Sequence, residues 1–588
     1  MRVVCITAEC EPWAKTGGLG DVVDALARAV GAAGAVGTTG AVGAAGAVGA
    51  TGAVGAAAEA APNAAGSAAD AVSDGSEETA AVQGTAGAGS HSTDRRWTDT
   101  HPAGTRPRLP QSQVWMGTGG VMGVGMGMDE LPGHVEPPVD VFLPMYRGVV
   151  VPDGATRKSL AVPDPLAESG TTELTLVEFE ARGYRVRLVD HPPAFDRKGF
   201  YGDADGDYPD NGWRFGLLCR AAIEALLIDE RPVDVLHLHD WQALPAVVLR
   251  DCAYEAYPLI ARAAVMVTIH NLAYQGWLTC DQAAGMAFPD ELAHALKPGA
   301  DGLLLLREGI ERAELVNTVS PGYAREILTP EFGLGLERVL ARRGHRLGGI
   351  LNGLDMAVWD PATDAALPAT YSRGKLTGKA ECRRVLLAEL GFDSDDPSPV
   401  LGMIGRLDPQ KGFDLLTGAA PALMAAGARL VALGTGDPKI VRDLHELAVK
   451  HPKSIAVVEA FDRGLARRIY AGVDLYVMPS RFEPCGQGQM IALRYGTPVI
   501  VHRTGGLADT VIDVDDFPVD GTGFVHGAAT VAALTDACRR AMACHGRGGP
   551  EWTALQDRGM AVDWSWEAGP AEQYVASYRR AISLRREL

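Results

Sequence analysis

RVVCITAECEPWAKTGGLGDVVDALARAV, residues 2–30, decides the fold. VVCI is a short apolar run with β-branched residues, the pattern of a buried strand. Gly17, Gly18 and Gly20 follow, and then DVVDALARAV places its apolar residues at helical spacing. Strand, glycine-rich turn and helix in that order open a doubly wound α/β domain. Adjacent glycines let backbone N–H groups come close to an anion, and the following helix turns its positive end toward the same place. Lys15 and Asp21 flank this turn as a candidate cation and a candidate acid.

The same rhythm continues downstream. VDVFLPMY (139–146), RVRLVD (185–190), VDVLHLH (233–239), AVMVTIH (264–270) and LVNTVS (315–320) read as strands, and RFGLLCRAAIEALLI (214–228) reads as a helix between two of them. VLGMIGR, ARLVALG, SIAVVEA, LYVMPS and TPVIVH repeat the pattern in the second half. Short apolar strands alternating with helices predict parallel sheets covered on both faces. Two doubly wound domains follow: residues 1–352, then residues 353–565. A last helix over about 566–588 is expected to return to the first domain. Residues 31–138 interrupt this order. They begin with glycine at every third position, contain no lysine and hold few large apolar side chains through most of their length. The glycine-repeat tract carries no proline, which collagen requires. Such a composition cannot offset its ordering entropy, so the segment is expected to be a disordered insertion.

Bulk properties exclude several roles. The 588 residues carry a net charge of −19, which argues against nucleic acid or an anionic membrane as the main partner. No apolar run is long enough to span a bilayer. Met1 leads straight into the first strand, so no targeting segment is expected. Nine cysteines without CxxC spacing fit neither a zinc site nor a disulfide framework, and a cytoplasmic location is expected.

Chemistry-bearing residues cluster after strands. Arg406 and Lys411 of IGRLDPQKG stand five residues apart across a turn, beyond the carboxyl end of VLGMIG. Ligands of open α/β sheets bind there. Two cations at that place suit a departing diphosphate, although a solvated surface pair would leave the same trace. Glu483 of PSRFEPCGQGQ also follows a strand, where an acid can hold a sugar or stabilise an oxocarbenium-like carbon. It could equally be an acid favoured by a helix N-terminus. RTGGLADTV (503–511) adds another Gly-Gly turn. His237, His239 and Asp240 of VLHLHDW raise a metal reading, since residues two apart on a strand share one face. No third ligand has supporting spacing, so no metal is assigned. In DADGDYPDN (203–211) the glycine falls at the fourth position rather than the sixth of a calcium loop.

KTGGLGD, YGDADGDYPDNGWRF, HLHDW, TIHNLAYQG, TVSPGYAREI, ILNGLD, GRLDPQKG, SRFEPCG and RTGGLADTV stand in the order found in bacterial glycogen synthases and plant starch synthases. The chain resembles that family over nearly its whole length outside 31–138. The resemblance implies a GT-B fold, with two Rossmann-like domains facing a cleft: an acceptor side in residues 1–352 and a nucleotide-sugar side in 353–565. It implies retaining, metal-independent transfer of glucose from ADP-glucose to the nonreducing end of an α-1,4-glucan, without a cofactor. By the same resemblance Lys15 and the backbone of Gly17 and Gly18 face the donor, Asp21 lies near the acceptor hydroxyl, and His239 and Asn352 line the glucose pocket. Arg406 and Lys411 hold the diphosphate, Glu483 binds the glucose beside Cys485 and Gly486, and Phe461 stacks on the adenine.

Two departures from the family pattern stand out. Gln487-Gly488-Gln489 replaces the usual Leu-Thr-Gln, which leaves the Gly488 backbone N–H as the expected phosphate donor and makes Gly488→Thr a substitution expected to be tolerated. Arg463 stands where an acid is common. Rival readings are a catalytically impaired glucan-binding or scaffolding homologue and a relative that uses another nucleotide sugar. Intact Lys15, Arg406, Lys411 and Glu483 favour the enzyme, because binding alone needs no diphosphate clamp.

Overall fold

Val3–Ile6 is buried along its entire length, and its neighbours on both sides are equally buried, so these apolar runs assemble as inner strands of a covered sheet. The computed structural model describes residues 1–15, 18–39, 138–203, 206–279, 282–283, 286 and 302–587. Among the described residues the first sheet has nine strands. Their spatial order is Leu347–Gly349, Leu315–Thr318, Ala264–Ile269, Val235–His239, Val3–Ile6, Val139–Pro144, Tyr184–Asp190, Thr171–Ala181 and Thr156–Pro163. Val3 pairs in parallel with Val139 on one side and Val235 on the other. From the central strand Val3–Ile6 the chain moves outward through Val139–Pro144, then restarts at Val235–His239 and winds the other way. The switch point therefore lies between Val3–Ile6 and Val235–His239.

One edge of this sheet departs from the all-parallel expectation. Thr156–Pro163, Thr171–Ala181 and Tyr184–Asp190 form an antiparallel meander. Its second turn is Arg182-Gly183 with φ of 54° and 87°. Positive φ at both central residues is the tight hairpin turn whose twist matches the strands. An arginine in its first place hides the usual Asn-Gly or Asp-Gly signature.

Among the described residues the second sheet has six strands, all parallel: Ile455–Val458, Arg429–Leu433, Val400–Ile404, Leu475–Met478, Val499–His502 and Gly523–His526 in spatial order. Its switch point lies between Val400–Ile404 and Leu475–Met478.

The helix Gly18–Thr39 runs past residue 31, so the helical segment ends later than the sequence boundary placed it. The insertion expected over 31–138 otherwise falls outside the described residues, except for Pro138. The final helix, Pro570–Arg586, packs on the first sheet beside Gly18–Thr39. Tyr574 and Tyr578 are fully buried there, and the Tyr578 hydroxyl meets His237 Nδ1 at 2.9 Å. Among the described residues no helix is long and apolar enough to cross a membrane.

Candidate active site

Ligands of doubly wound sheets bind beyond the carboxyl ends of strands at the switch point, and both sheets place their candidate residues there. In the first sheet Lys15 follows Val3–Ile6, and His239 ends the adjacent strand. In the second sheet Arg406 and Lys411 follow Val400–Ile404, and Glu483 follows Leu475–Met478.

Lys411 and Glu483 form the tightest constellation. The Lys411 ammonium donates to both carboxylate oxygens of Glu483, at 2.9 and 2.6 Å, and Ser480 Oγ donates to the second at 3.0 Å. Glu483 is buried, with 5% of its surface exposed, so in this state Lys411 is its charge partner. Gly412 makes the approach feasible. Its φ is +78°, and a Cβ there would stand 2.5 Å from the Pro479 carbonyl oxygen, so only glycine lets the Lys411 turn press against the strand that leads to Glu483. Arg406 is more open. Its guanidinium reaches Gln410 Oε1 at 3.1 Å, Asp408 at 3.4 Å and, from the other lobe, the Tyr274 hydroxyl at 3.4 Å.

His239 stands in a row of imidazoles. Its Nδ1 meets His270 Nε2 at 3.0 Å, while its Nε2 is buried and has no partner among the described residues. Burial, reinforced by His237 and His270, pushes its pKa well below the ordinary histidine value. The ring is therefore neutral, with one nitrogen left for a ligand. His237 is also neutral, its pKa lowered to about 3 by burial and then by His270. Cys5, His237 and His239 bring potential ligand atoms within 4.8 Å of one another, a third group that the sequence spacing did not reveal. Both nitrogens of His237 are engaged, however, by Thr268 Oγ1 at 2.7 Å and by Tyr578. Burial pushes the Cys5 thiol up to about 12. His237 is thus a hydrogen-bonded brace between the neighbouring strand and the final helix, and the set is a poor fit to a cation.

Lys15 pairs with the carboxylates of Asp21 and Glu11. Burial raises the Asp21 pKa above its ordinary value despite Lys15. Gly17 lies outside the described residues, and Gly18 is the first residue of the long helix. Asn352 is buried on the crossing between the sheets; it reaches Cys485, and its Oδ1 has no partner among the described residues. Burial pushes the Cys485 thiol up to about 12, so it is no nucleophile at neutral pH. Gly486 has a φ of +70°, and Gln489 braces the same turn through the Cys485 and Gly486 carbonyls and Thr510. Phe461 is 74% exposed, an open ring on the edge of the second sheet.

Gly488 stands against a neighbour that its place in the sequence did not show. It opens a helix of only seven residues, Gly488–Arg494, and a Cβ there would lie 3.0 Å from the Tyr476 hydroxyl. Tyr476 is buried and donates to the Ile404 carbonyl at 3.2 Å, so it cannot yield freely. A threonine at this position requires the Tyr476 hydroxyl to give by a few tenths of an ångström.

The two lobes touch close to these groups. Ser320 Oγ donates to the Pro484 carbonyl at 2.6 Å, Arg463 bonds Glu11 at 3.0 Å, and Arg406 meets Tyr274. Among the described residues no hydrogen bond joins Lys15 or His239 directly to Lys411 or Glu483. Tyr274, Ser480, His270 and Glu11 carry site contacts that spacing alone did not single out. Tyr274 and His270 lie inside the quoted segment TIHNLAYQG, which was their only signal.

The sequence matches the family model described as the starch synthase catalytic domain over residues 2–38 and 121–342. Residues 398–544 match the model described as glycosyl transferases group 1. The chain is 42% identical over 478 residues to a glycogen synthase of Halorhodospira halophila, covering 80% of this chain and 97% of that protein. It is 41% identical over 456 residues to glycogen synthase 2 of Geobacter metallireducens, covering 76% and 92%. The catalytic domain of starch synthase IV from Arabidopsis thaliana, solved with ADP and acarbose, superimposes with a TM-score of 0.74 at 27% identity, covering 99% of each chain.

Proposed function

Because this chain belongs to the glycogen synthase and starch synthase family, a group of GT-B glycosyltransferases, we propose that its cleft transfers glucose from ADP-glucose to the nonreducing end of an α-1,4-glucan with retention of configuration. The observation that carries this reading is the cation–acid pair at the second switch point: Lys411 bonded to both oxygens of a buried Glu483 with Arg406 beside it. A donor diphosphate entering there meets both cations. As Lys411 turns to the phosphates, Glu483 loses its partner, and its charge becomes available to the sugar carbon as that carbon turns positive.

Residues 1–352, with the returning helix, form the acceptor side in this proposal, and residues 353–565 form the nucleotide side. The unpartnered Nε2 of neutral His239 hydrogen-bonds the transferred glucose without placing a positive charge beside an oxocarbenium-like centre. The exposed Phe461 ring offers the adenine a stacking face. The leaving diphosphate accepts the acceptor's proton on the attacked face, so no protein nucleophile is needed, and Asp21 lies toward the acceptor hydroxyl. Lys15, Arg406 and Lys411 supply the positive charge that the leaving group requires, without a metal. Closure of the lobes excludes water and limits donor hydrolysis. The enzyme acts in the cytoplasm on this reading.

The test is an assay of the purified protein with glycogen and either ADP-glucose or UDP-glucose, in the presence of EDTA, following nucleotide release and chain elongation. Elongation with ADP-glucose is expected. Nucleotide release without elongation, or elongation with UDP-glucose alone, would overturn the reading.

A further inference from the structure

Glu11 stands between two cations contributed by different lobes. Its Oε1 accepts from Arg463 Nη1 at 3.0 Å, and its Oε2 lies 3.1 Å from Lys15 Nζ. The Oε2 atom is shielded from solvent, and among the described residues the Lys15 ammonium is its ion-pair partner. The loop is anchored, because the Glu11 backbone N–H donates to the Gly20 carbonyl at 3.0 Å. Lys15 is held on its other side by Asp21. Arg463 opens the helix Arg463–Gly472, and its guanidinium carbon sits 5.8 Å from the centre of the exposed Phe461 ring. One carboxylate thus bridges the cation at the first switch point and a cation beside the ring proposed to receive the nucleobase.

We propose that Glu11 is the resident counter-anion of the donor site, drawing Lys15 and Arg463 together across the cleft until a nucleoside diphosphate displaces it from both. Arg463 thereby becomes a donor-binding residue, a cation added at the place where the family pattern commonly has an acid. This inference rests on the donor site proposed above.

Two anions compete for the same cations, so the arrangement weakens donor binding by the strength of the bridge that must be broken. A bridge shared by two partly exposed pairs corresponds to about threefold to tenfold in affinity. Burial works against ionisation of Glu11, but Lys15 and Arg463 more than offset it and hold the carboxyl below its ordinary pKa, so the counter-anion is present at neutral pH.

The experiment measures ADP and inorganic pyrophosphate binding by calorimetry to the parent protein, Glu11→Gln and Arg463→Gln. Glu11→Gln preserves the side-chain shape and is expected to bind both probes about threefold to tenfold more tightly. Arg463→Gln is expected to bind ADP more weakly than Glu11→Gln does. If Glu11 only straps the lobes shut, its loss opens the cleft; unchanged or weaker binding in a folded Glu11→Gln protein overturns the inference while leaving the donor site standing. Failure of the parent protein to bind ADP overturns the donor-site reading, and this inference with it.

Discussion

Glu483 and Lys411 satisfy each other before any donor arrives, and this sets how their variants behave. Lys411→Ala leaves a buried carboxylate without its charge partner, a loss that costs about 3–5 kcal/mol when a buried pair is broken. A lower melting midpoint is therefore expected together with a fall in turnover of about 10²–10³. Glu483→Gln keeps the shape and removes the charge, so it is expected to stay folded and to lose kcat with a modest change in KM. A rise in KM alone would make Glu483 a uniform binder. At Gly488 the buried Tyr476 decides the outcome: Gly488→Thr is expected to lower stability by about 1–3 kcal/mol through overpacking, read by denaturant unfolding. Asp240 supplies a pH dependence. It sits at the end of the His239 strand with φ of 55°, accepts the His270 backbone N–H at 2.7 Å, and has its pKa raised to about 7, chiefly by burial. A raised carboxyl pKa gives a contribution present below the ordinary value and lost as pH rises through about 7. Asp240→Asn cannot ionise and still accepts that N–H. Its melting midpoint is expected to exceed the parent's at pH of about 5 already, and by about 2 °C or more beyond that margin at pH of about 8. A midpoint gain that is the same at both pH values would refute the assignment.

Among the elements, the helix Gly18–Thr39 and the strand Val139–Pro144 mark where the chain leaves the first sheet and where it returns. Loop-closure entropy grows slowly with length, so the connection between them tolerates a large change. Replacing residues 41–134 with a short Gly/Ser linker is expected to preserve glucan elongation. Replacing 31–138 instead removes the final helical turns, including buried Gly31, where even a Cβ would stand 3.0 Å from the Gly183 carbonyl oxygen. That variant is expected to melt at a lower temperature. A folded 41–134 replacement that releases nucleotide but cannot elongate glucan would assign the segment a part in the site. The strands were legible as elements because each is a short apolar run between turns. The meander was not, because Thr156–Pro163 buries only Leu160 and Val162 fully and its tight turn carries arginine.

At the scale of the whole molecule, two short helices cap each other across the lobes. Glu326 accepts from Thr504 Oγ1 and the Gly505 backbone N–H at 3.0 and 2.7 Å, while Asp509 accepts from the Gly322 backbone N–H. Each lobe therefore holds a carboxylate against the first turn of a helix in the other. Glu326→Ala removes two such bonds and is expected to cost about 1–3 kcal/mol, seen in calorimetry as a lower, broader first transition. An unchanged trace would show that the lobes are held elsewhere. By itself the sequence determined the α/β class, the strand-end positions of Lys15, His239, Arg406, Lys411 and Glu483, and the family, because local periodicity and short motifs are properties of neighbouring residues. Only the tertiary structure decided which charges are already paired. The Lys411–Glu483 bond, the Glu11 bridge to Arg463, the Cys5–His237–His239 cluster and the crowding of Gly488 by Tyr476 all depend on strands that are adjacent in space and remote in sequence. Electrostatic pairing and steric contact act over a few ångströms of space, and no spacing along the chain encodes that distance.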